Sequence, residues 1–338
     1  MENEFGDYFA VKRKPKILWI DDDNNRKKQA SNLSDATGLS VEFISLKDKD
    51  VLKQVAEMRA KYTPSLVIID HVLNNTESAN WTQSGSTLVG FFRESWAGCP
   101  IFGVTAAQNL GKIDIERYAY DELIDLTNFS NYIGLVPNII DGFRKCKKVK
   151  GIRGWIGLLK PPENEIERIN ECIPHDVKTG VRKIGFASRA YRWFSRKFYR
   201  MPGFLYDIDW VATFIGVKTD KVQKYLKAFD KSKYDGIFNN PSIPRWWKAN
   251  LYDAIYGKCK DKNAFCRSPQ DVANEVLGVP QKHRSICYVC GEKWPDTIAY
   301  VDKSDNASVE QMHLKCTLAH PLYPYEPMFE EVRLMKVG

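Results

Sequence analysis

The chain has 338 residues, of which 43% are hydrophobic and 12% aromatic, so it is long enough for two or three domains with apolar cores. No apolar run approaches the roughly 18 residues that a membrane-spanning helix needs, and the first residues lack the apolar stretch of a signal peptide. These features exclude a membrane protein, and we expect a cytoplasmic protein with no membrane partner.

The formal net charge of +8 is unevenly distributed along the chain. Residues 16–130 carry a net charge of −4, whereas residues 131–338 carry +12. A basic surface of that size attracts phosphate groups, most often those of nucleic acid, and the plain alternative is a solvated surface without a ligand. Eight cysteines in a chain without an export signal argue against a disulfide framework.

Short apolar runs alternate with amphipathic stretches in the first 150 residues, which is typical of βαβ units. The predicted strands are 16–20, 39–46, 65–70, 100–107 and 122–126, and the predicted helices are 24–37, 48–62, 85–96, 109–120 and 131–147. This alternation predicts an α/β fold with a doubly wound, flavodoxin-like parallel sheet of five strands. The active site of such a sheet lies at the carboxyl ends of its strands.

Acidic and hydroxyl side chains stand at three of these strand ends. The first strand ends in Asp21, Asp22 and Asp23, the third ends in Asp70, and the fourth contains Thr105. Converging carboxylates repel one another unless a hard cation lies among them, and Mg²⁺ fits best because it takes oxygen ligands. A metal-neutralised aspartate is also a workable phosphoryl acceptor. The plain alternative, helix capping, suits Asp23 but does not account for Asp70 or Thr105.

The order of these motifs resembles the response-regulator receiver family over residues 14–148. Residues 20–23 resemble its acidic pair, residues 69–73 its acceptor motif, residues 104–106 its switch motif, and Gly85 the start of its third helix. The resemblance implies that Asp70 is the phosphoacceptor, that Thr105 is the switch residue, and that Mg²⁺ is held by Asp21, Asp22, Asp70 and the backbone carbonyl of Val72. It also implies a histidine kinase or another phosphodonor protein as a partner.

One departure from the family bears on function. The family has a lysine at the end of strand five that pairs with the phosphoryl group, and residues 121–128 contain no lysine. The loop 74–84 is also several residues longer than usual. The missing lysine leaves open a pseudo-receiver that serves only as an interaction module. The retained acidic residues favour a phosphorylatable site.

A Gly- and Pro-containing stretch, residues 151–163, marks a domain boundary. We therefore divide the chain into four parts: a tail (1–13), a receiver-like domain (14–150), a basic, mainly helical domain (151–282) and a small α+β zinc module (283–338).

Residues 181–200 hold seven basic residues, six aromatic residues and no acidic residue. On a helix, one stripe of this segment contains Arg189, Arg192, Arg196 and Arg200. Such a stripe suits nucleic acid, an acidic protein surface or plain solvation.

Residues 209–226 resemble a helix-turn-helix, with Ala212, Gly216 and Val222 at the spacing of its small, turn and plug residues. The presumed recognition helix exposes side chains suited to bases and phosphates, namely Thr219, Lys221, Gln223 and Lys224. The same helix pair is common in helical domains that do not bind DNA. The sequence therefore leaves open whether this helix pair binds nucleic acid, and whether that nucleic acid is DNA or RNA.

The strongest metal motif is a pair of cysteines, then 22 intervening residues, then a histidine and a third cysteine: Cys287, Cys290, His313 and Cys316. We expect His313 and Cys316 to share a helical turn and the four side chains to form a closed, structural Zn²⁺ site. The spacing resembles treble-clef zinc fingers. His320 is an alternative ligand, and the plain alternative is a chance set of thiols.

Together these features favour a phosphorylation-regulated signalling protein with a nucleic-acid-binding output region, acting as a monomer or a homodimer. The alternative is a scaffold or adaptor with a pseudo-receiver, with a domain layout like that of receiver proteins of bacterial stress or defence systems. We do not expect an enzyme, because outside the receiver motifs the sequence has no Gly-rich phosphate loop, no nucleophile with a histidine partner and no paired carboxylates.

Overall fold

The computed structural model describes residues 16–46, 51–73, 84–110, 113, 118–179, 185–199, 203–266, 268–292, 297–301, 309–313 and 316. The chain forms two compact units. The first unit comprises Met1–Lys148 and Arg182–Arg189, and the second comprises Val149–Val181 and Ala190–Gly338. The main part of the first unit thus ends near the expected boundary at residue 150, and Arg182–Arg189 also belong to this unit. The expected boundary at residue 282 lies inside the second unit.

The first unit contains a five-stranded parallel sheet. Its strands are β1 (Lys16–Asp21), β2 (Ser40–Ser45), β3 (Leu66–Asp70), β4 (Ile101–Thr105) and β5 (Glu122–Asp125). Its helices are α1 (Lys27–Thr37), α2 (Val51–Lys61), α3 (Gly85–Ser95), α4 (Ala107–Leu110), α5 (Phe129–Ile133) and α6 (Val136–Cys146). The strand order β2-β1-β3-β4-β5 is that of flavodoxin-like, doubly wound sheets, which confirms the predicted fold of this part.

The central strands are buried on both faces because helices cover both sides of a doubly wound sheet. In β1 the residues from Ile17 to Ile20 have no exposed surface, and the same is true of Leu66 to Ile69 in β3. Continuous apolar runs of this kind mark the strands in the sequence, and each observed strand lies within about two residues of its prediction.

Two predicted helices differ from those observed. The fourth was expected over 109–120, whereas α4 begins at Ala107 and residues 118–120 are not α-helical. Tyr120 is fully buried and packs so closely on Gly103 of β4 that a Cβ there would lie 2.9 Å from its ring. Its position is therefore set by contact with the sheet. The fifth helix divides into α5 and α6, because Pro137 near the start of α6 cannot donate a helical hydrogen bond.

The second unit is mainly helical. Its helices are α7 (Gly151–Leu159), α8 (Ile166–Cys172), α9 (His175–Lys178), α10 (Phe186–Trp193), whose first four residues belong to the first unit, α11 (Ile208–Phe214), α12 (Lys248–Asp261) and α13 (Pro269–Asp271). Two antiparallel strand pairs complete it: β6 (Leu205–Tyr206) with β7 (Trp246–Trp247), and β8 (Thr297–Val301) with β9 (Val309–His313). No helix in the described ranges has the length and apolar character of a membrane span.

The turn after α11 depends on a glycine. Gly216 has φ +69°, and a Cβ at this position would lie 2.2 Å from the carbonyl oxygen of Pro269. Only glycine therefore fits both the left-handed backbone and the close approach of α13. Ala212, the small residue of the predicted helix-turn-helix, is fully buried in α11.

A buried ion pair joins three elements of the first unit. Asp121 has no exposed surface; it accepts a hydrogen bond from the backbone N–H of Ile101 at 2.9 Å and forms an ion pair with Arg93 of α3 at 3.1 Å. Arg93 also donates to the carbonyl of Ala119 at 2.9 Å and to the hydroxyl of Ser188 at 2.5 Å. Through these contacts the ion pair connects α3 with the start of β4, with Ser188 of α10 and with the residues just before β5.

We expect Asp121→Ala to weaken the first unit by about 3 kcal/mol, because it leaves the guanidinium of Arg93 without its buried counter-charge. Hydrogen exchange measured by mass spectrometry reports this as faster exchange of the β4 amides. Asp141→Ala is the matched control, since Asp141 pairs with Arg144 and Lys145 on the surface of α6 and its removal should cost less than about 1 kcal/mol. Equal effects of the two substitutions would contradict a structural role for the buried pair.

Candidate metal centres and candidate nucleic-acid interface

Three carboxylates meet at the carboxyl edge of the sheet. Because β1 and β3 are neighbours and parallel, Asp21 at the end of β1 lies beside Asp70 at the end of β3, and Asp22 follows directly. One oxygen from each of the three lies within 4.8 Å of the others. Asp21 is fully buried, Asp22 is 4% exposed and Asp70 is half-buried. The structure therefore brings together the three side chains that were predicted to share a site.

The carboxylates are held in an environment that disfavours their charge. Burial, and then the negative charges of Asp21 and Asp22, raise the pKa of Asp70 to about 7. Burial likewise raises the pKa of Asp21 to about 6, against the hydrogen bond it accepts from the backbone of Asp23. A cation among the three oxygens would offset both the desolvation and the mutual repulsion. The donor set consists only of hard oxygens, so it fits Mg²⁺.

Hydrogen bonds orient these side chains. The backbone N–H of Asp23 donates to Asp21 Oδ1 at 2.8 Å, and the indole of the buried Trp19 donates to Asp21 Oδ2 at 3.3 Å. The backbone N–H of Val72 donates to Asp70 Oδ1 at 3.3 Å. Asp23 itself caps the first helical turn, as the capping alternative predicted for Asp23 and Asn24. Trp19 is thus an internal reporter of the cluster.

Thr105 lies on the adjacent strand with its hydroxyl inside the protein. It ends β4 and is 1% exposed, and within the described residues its Oγ1 atom has no hydrogen-bond partner. A buried hydroxyl without a partner is costly, so such a group commonly serves a ligand. Asp70 pairs in register with Val104, which places Thr105 one residue beyond it on the same edge.

The start of α3 approaches this edge closely. The backbone N–H of Gly85 donates to the carbonyl of His71 at 2.8 Å, and a Cβ on Gly85 would lie 2.1 Å from the carbonyl oxygen of Asp70. Any side chain here would push α3 away from the end of β3.

One residue of this edge was missed by sequence analysis. Asp125 ends β5 and pairs in register with Thr105, at the strand end where the receiver family has its lysine. Its carboxylate accepts hydrogen bonds from Thr127 and Asn128 and caps the short helix that follows. An acidic residue there offers no positive charge to a phosphoryl group. The signal was present in the sequence as the absence of lysine from residues 121–128.

A second metal-ligating cluster lies in the second unit. The ligand atoms of Cys287, Cys290, His313 and Cys316 all lie within 4.8 Å of one another. Nδ1 of His313 is 3.3 Å from the sulfur of Cys290 and 3.8 Å from that of Cys316, and the His313 backbone N–H lies 3.4 Å from the sulfur of Cys287. Three sulfurs and one imidazole nitrogen suit a tetrahedral, structural Zn²⁺.

The electrostatics of this cluster fit a dication. Although burial opposes it, backbone N–H groups of Cys290, His313 and Val289 hold the pKa of Cys287 below its usual value, which favours the thiolate that zinc requires. Burial, and then the sulfurs of Cys287 and Cys290, raise the pKa of Cys316 to about 12. A dication would relieve this crowding of negative sulfurs.

The backbone around His313 differs from the one predicted for the zinc site. The expectation that His313 and Cys316 share a helical turn is wrong for His313, which is the last residue of β9. The strand places its ring against the Cys287–Cys290 loop, and the ligand atoms still converge. The alternative ligand His320 lies outside the described residues.

A buried glutamine links the second metal cluster to the turn after α11. Gln311 of β9 is 7% exposed, and its amide nitrogen donates to Thr213 Oγ1 at 3.1 Å and to the carbonyl of Val217 at 2.9 Å. Sequence analysis missed this contact, because nothing in the local sequence relates residues almost a hundred positions apart.

The predicted arginine stripe is not a freely exposed face. α10 ends at Trp193 and continues as a π-helix over Phe194–Phe198, and the described arginines, Arg189, Arg192 and Arg196, are all half-buried. Arg200 lies outside the described residues. Aromatic packing explains the burial, since Phe194 and Phe198 lie in a cluster of aromatic rings.

The predicted recognition helix also differs from expectation. Residues Thr219–Lys224 form a 3₁₀-helix rather than an α-helix, and a further 3₁₀ segment follows over Leu226–Ser232. Gln223 and Lys224 are exposed, whereas Thr219 and Lys221 are half-buried. Local sequence did not distinguish the two helix types, because both bury residues spaced three or four apart.

The predicted residues Lys221 and Lys224 belong to a basic surface around His283, and sequence analysis missed the contribution of Lys282 and His283 to it. Desolvation lowers the pKa of His283, and the charges of Lys224, Lys282 and Lys221 lower it further against that of Asp220, so each of these lysines is near enough to His283 to act on its charge. We name His283 and these three lysines the lysine patch. Lys221 also forms an ion pair with Asp220, and the ring of His283 is hydrogen-bonded to the Tyr225 hydroxyl at 2.8 Å.

No protein-family model matches the chain, and no curated protein matches it. Solved structures are similar to its N-terminal part, about 38% of the chain, and response-regulator receiver domains are among them. A sensor protein from Polaromonas sp. JS666 is 16% identical, with a TM-score of 0.31, over 38% of this chain and 98% of its own. The receiver domain of the Francisella response regulator 1452 is 18% identical, with a TM-score of 0.29, and the match covers 39% of this chain and 98% of that domain. The response regulator TrrA from Thermotoga maritima, solved in complex with Mg²⁺-BeF, is 18% identical, with a TM-score of 0.27. The match covers 35% of this chain and 98% of TrrA.

Proposed function

We propose that this chain is a phosphorylation-regulated signalling protein whose first unit accepts a phosphoryl group on Asp70 in a Mg²⁺-dependent reaction. The observation that carries the proposal is the meeting of three carboxylates with the unpartnered, buried hydroxyl of Thr105 at one edge of a parallel sheet. Asp21, Asp22, Asp70 and the Val72 carbonyl would hold Mg²⁺, which supplies the positive charge that a phosphoryl group needs near a carboxylate nucleophile.

The chain's own residues have distinct roles in this proposal. Asp70 is the nucleophile, because among the three carboxylates it is the one that solvent reaches. Thr105 donates its hydroxyl to the phosphoryl oxygens, and Trp19 and the Asp23 backbone hold Asp21 in place. The phosphodonor is a histidine kinase or another phosphorylated partner. We propose a signalling role rather than an enzymatic one.

Asp125 favours the second candidate function, a pseudo-receiver that acts as a scaffold or adaptor. An aspartate at the end of β5 adds a negative charge where the receiver family has a positive one. Under this alternative the acidic edge binds a cation or a protein partner but takes up no phosphoryl group.

We expect wild-type protein to be labelled by a small phosphodonor such as acetyl phosphate only when Mg²⁺ is present, and Asp70→Asn to abolish the labelling because it removes the nucleophile. Mg²⁺ alone should change the fluorescence of Trp19, since its indole donates to Asp21. Intact-mass spectrometry checks the first outcome and fluorescence titration the second.

Asp35→Asn, an exposed aspartate on α1, is the matched control and should be labelled like wild type. Trp19→Phe should remove the Mg²⁺-dependent fluorescence change, which separates Trp19 from the other eight tryptophans. Absence of labelling together with a retained Mg²⁺ response would favour the scaffold function, and loss of both would overturn the metal site as well.

We also propose that Cys287, Cys290, His313 and Cys316 bind a structural Zn²⁺. The purified chain should contain about one Zn²⁺, and Cys290→Ser should lose it, because the site needs all four ligands. Chelation should speed hydrogen exchange both in β9 and in the turn at 213–217, since Gln311 links the two. Cys172→Ser, which removes an exposed thiol elsewhere in the second unit, should keep the metal. Equal zinc content in both variants would contradict this assignment.

For the second unit we propose nucleic-acid binding through the lysine patch and the neighbouring Thr219 and Gln223. The convergence of three lysines on His283 supports it, because clustered positive charge attracts phosphates. The half-buried Arg192 and Arg196 contribute to the positive potential of this unit rather than to an exposed ladder, whereas the half-buried Arg189 belongs to the first unit.

Lys224→Glu and Lys282→Glu should each weaken binding to double-stranded DNA of mixed sequence by about tenfold and reduce the salt dependence by about one unit of slope. Lys260→Glu, an equal charge change at an exposed position of α12, should have a smaller effect. Fluorescence anisotropy over a salt series measures both quantities. The same loss in all three variants would indicate non-specific charge attraction and not a patch.

A further inference from the structure

Two cysteines outside the zinc cluster lie in sulfur–sulfur contact. The sulfur atoms of Cys259, near the end of α12, and Cys266, in the loop that follows, are 3.0 Å apart. This separation is about 1 Å longer than a disulfide bond. Both residues are free thiols, both are half-buried, and both pack against the core of the second unit. Among the described residues, neither belongs to a cluster of three or more metal-ligating side chains.

The backbone brings these two thiols together. Asn263 adopts a left-handed conformation, with φ +49°, and the N–H of Ala264 donates to the carbonyl of Cys259 at 2.8 Å. The chain therefore turns back on the end of α12, which places Cys266 against Cys259. This geometry belongs to the folded loop and is absent from an unfolded chain.

The loop is also anchored from its other side. The ammonium group of Lys262 donates to the carbonyl of Val276 at 2.8 Å and to that of Glu275 at 3.3 Å, at the end of the π-helix Val272–Val276. The neighbouring side chain of Phe265 is 75% exposed, so this face of the loop is open to small molecules in solution.

We propose that Cys259 and Cys266 are a redox-active pair that closes to an intramolecular disulfide when a low-molecular-weight disulfide, such as oxidised glutathione, is present. This inference is independent of phosphorylation, of zinc and of nucleic-acid binding. Closing the bond requires an approach of about 1 Å, which a loop with an exposed tip accommodates more easily than a buried strand.

The chemistry is two successive thiol–disulfide exchanges. One protein thiolate attacks a sulfur of the small disulfide, forms a mixed disulfide with it and releases one small thiolate. The second protein sulfur then attacks the protein sulfur of the mixed disulfide, which closes the Cys259–Cys266 bond and releases the second small thiolate. Two protein thiols are oxidised, one small disulfide is reduced to two thiols, and the two protons pass to the released thiolates through solvent.

Burial, the contact with Cys259 and the negative charges of Asp271 and Glu275 together raise the pKa of Cys266 to about 12. Cys266 is therefore a thiol at neutral pH. It suits the second, intramolecular step, in which proximity compensates for low thiolate content.

The test uses the folded, zinc-loaded full chain treated with oxidised glutathione, quenched with N-ethylmaleimide under denaturing conditions, digested and analysed by mass spectrometry. We expect the linked peptide of Cys259 and Cys266, lighter by two hydrogens than its parts, to exceed any other cysteine pair by at least about tenfold, because the folded loop holds the two sulfurs together. Dithiothreitol should reverse the link. The exposed Cys172 should carry a glutathione mixed disulfide instead.

Three outcomes would overturn the proposal. One is full alkylation of both thiols after oxidation, another is a stable mixed disulfide on each, and the third is an equal yield of linked peptide when oxidation is carried out in urea. Cys266→Ser, and Cys266→Ala should the serine variant not fold, should leave Cys259 as a mixed disulfide. Cys172→Ser should leave the link unchanged.

Discussion

The carboxylates of Asp21, Asp22 and Asp70 repel one another in a buried position, and the first unit is arranged around that conflict. The strand order makes β1 and β3 neighbours, so the last residue of each must share one edge of the sheet. Burial sharpens the repulsion, as the raised pKa values of Asp21 and Asp70 show. A site of this kind would gain stability from a bound cation, which offsets both the burial of the carboxylates and their mutual repulsion. Stability and ligand binding are therefore coupled in this unit.

Much of the first unit could be predicted from the sequence because its strands are buried on both faces. Such strands appear as continuous apolar runs, and the polar residues that end them stand out. The site followed from the same signal, since the carboxyl ends of parallel strands share an edge. The departure at Asp125 could be noticed only as a missing lysine. Its pairing with Thr105 needed the register of β5.

The second unit was predicted less well, for two physical reasons. Residues 219–232 form 3₁₀-helices, whose spacing of buried residues is too close to that of an α-helix to be separated locally. The exposure of Arg189, Arg192 and Arg196 depends on which aromatic residues pack nearby, and that is decided by residues far away in the sequence. The four predicted zinc ligands could be recognised because chelation imposes short spacings on the chain, and the structure brings their ligand atoms together. Lys221 and Lys224 of the lysine patch were predicted, whereas Lys282 was not, because it is remote from them in the sequence.

The two hydrogen bonds of Gln311 set a limit on how the second unit is divided. A shortened chain that ended before β9 would leave Thr213 Oγ1 and the Val217 carbonyl without the donor they now have, inside a core where water does not replace it. The helical part and the cysteine-rich part are thus halves of one folding unit and not interchangeable modules. Either half, transferred alone to another protein, would contain buried polar groups without hydrogen-bond partners. Domain shuffling would therefore have to move both halves together.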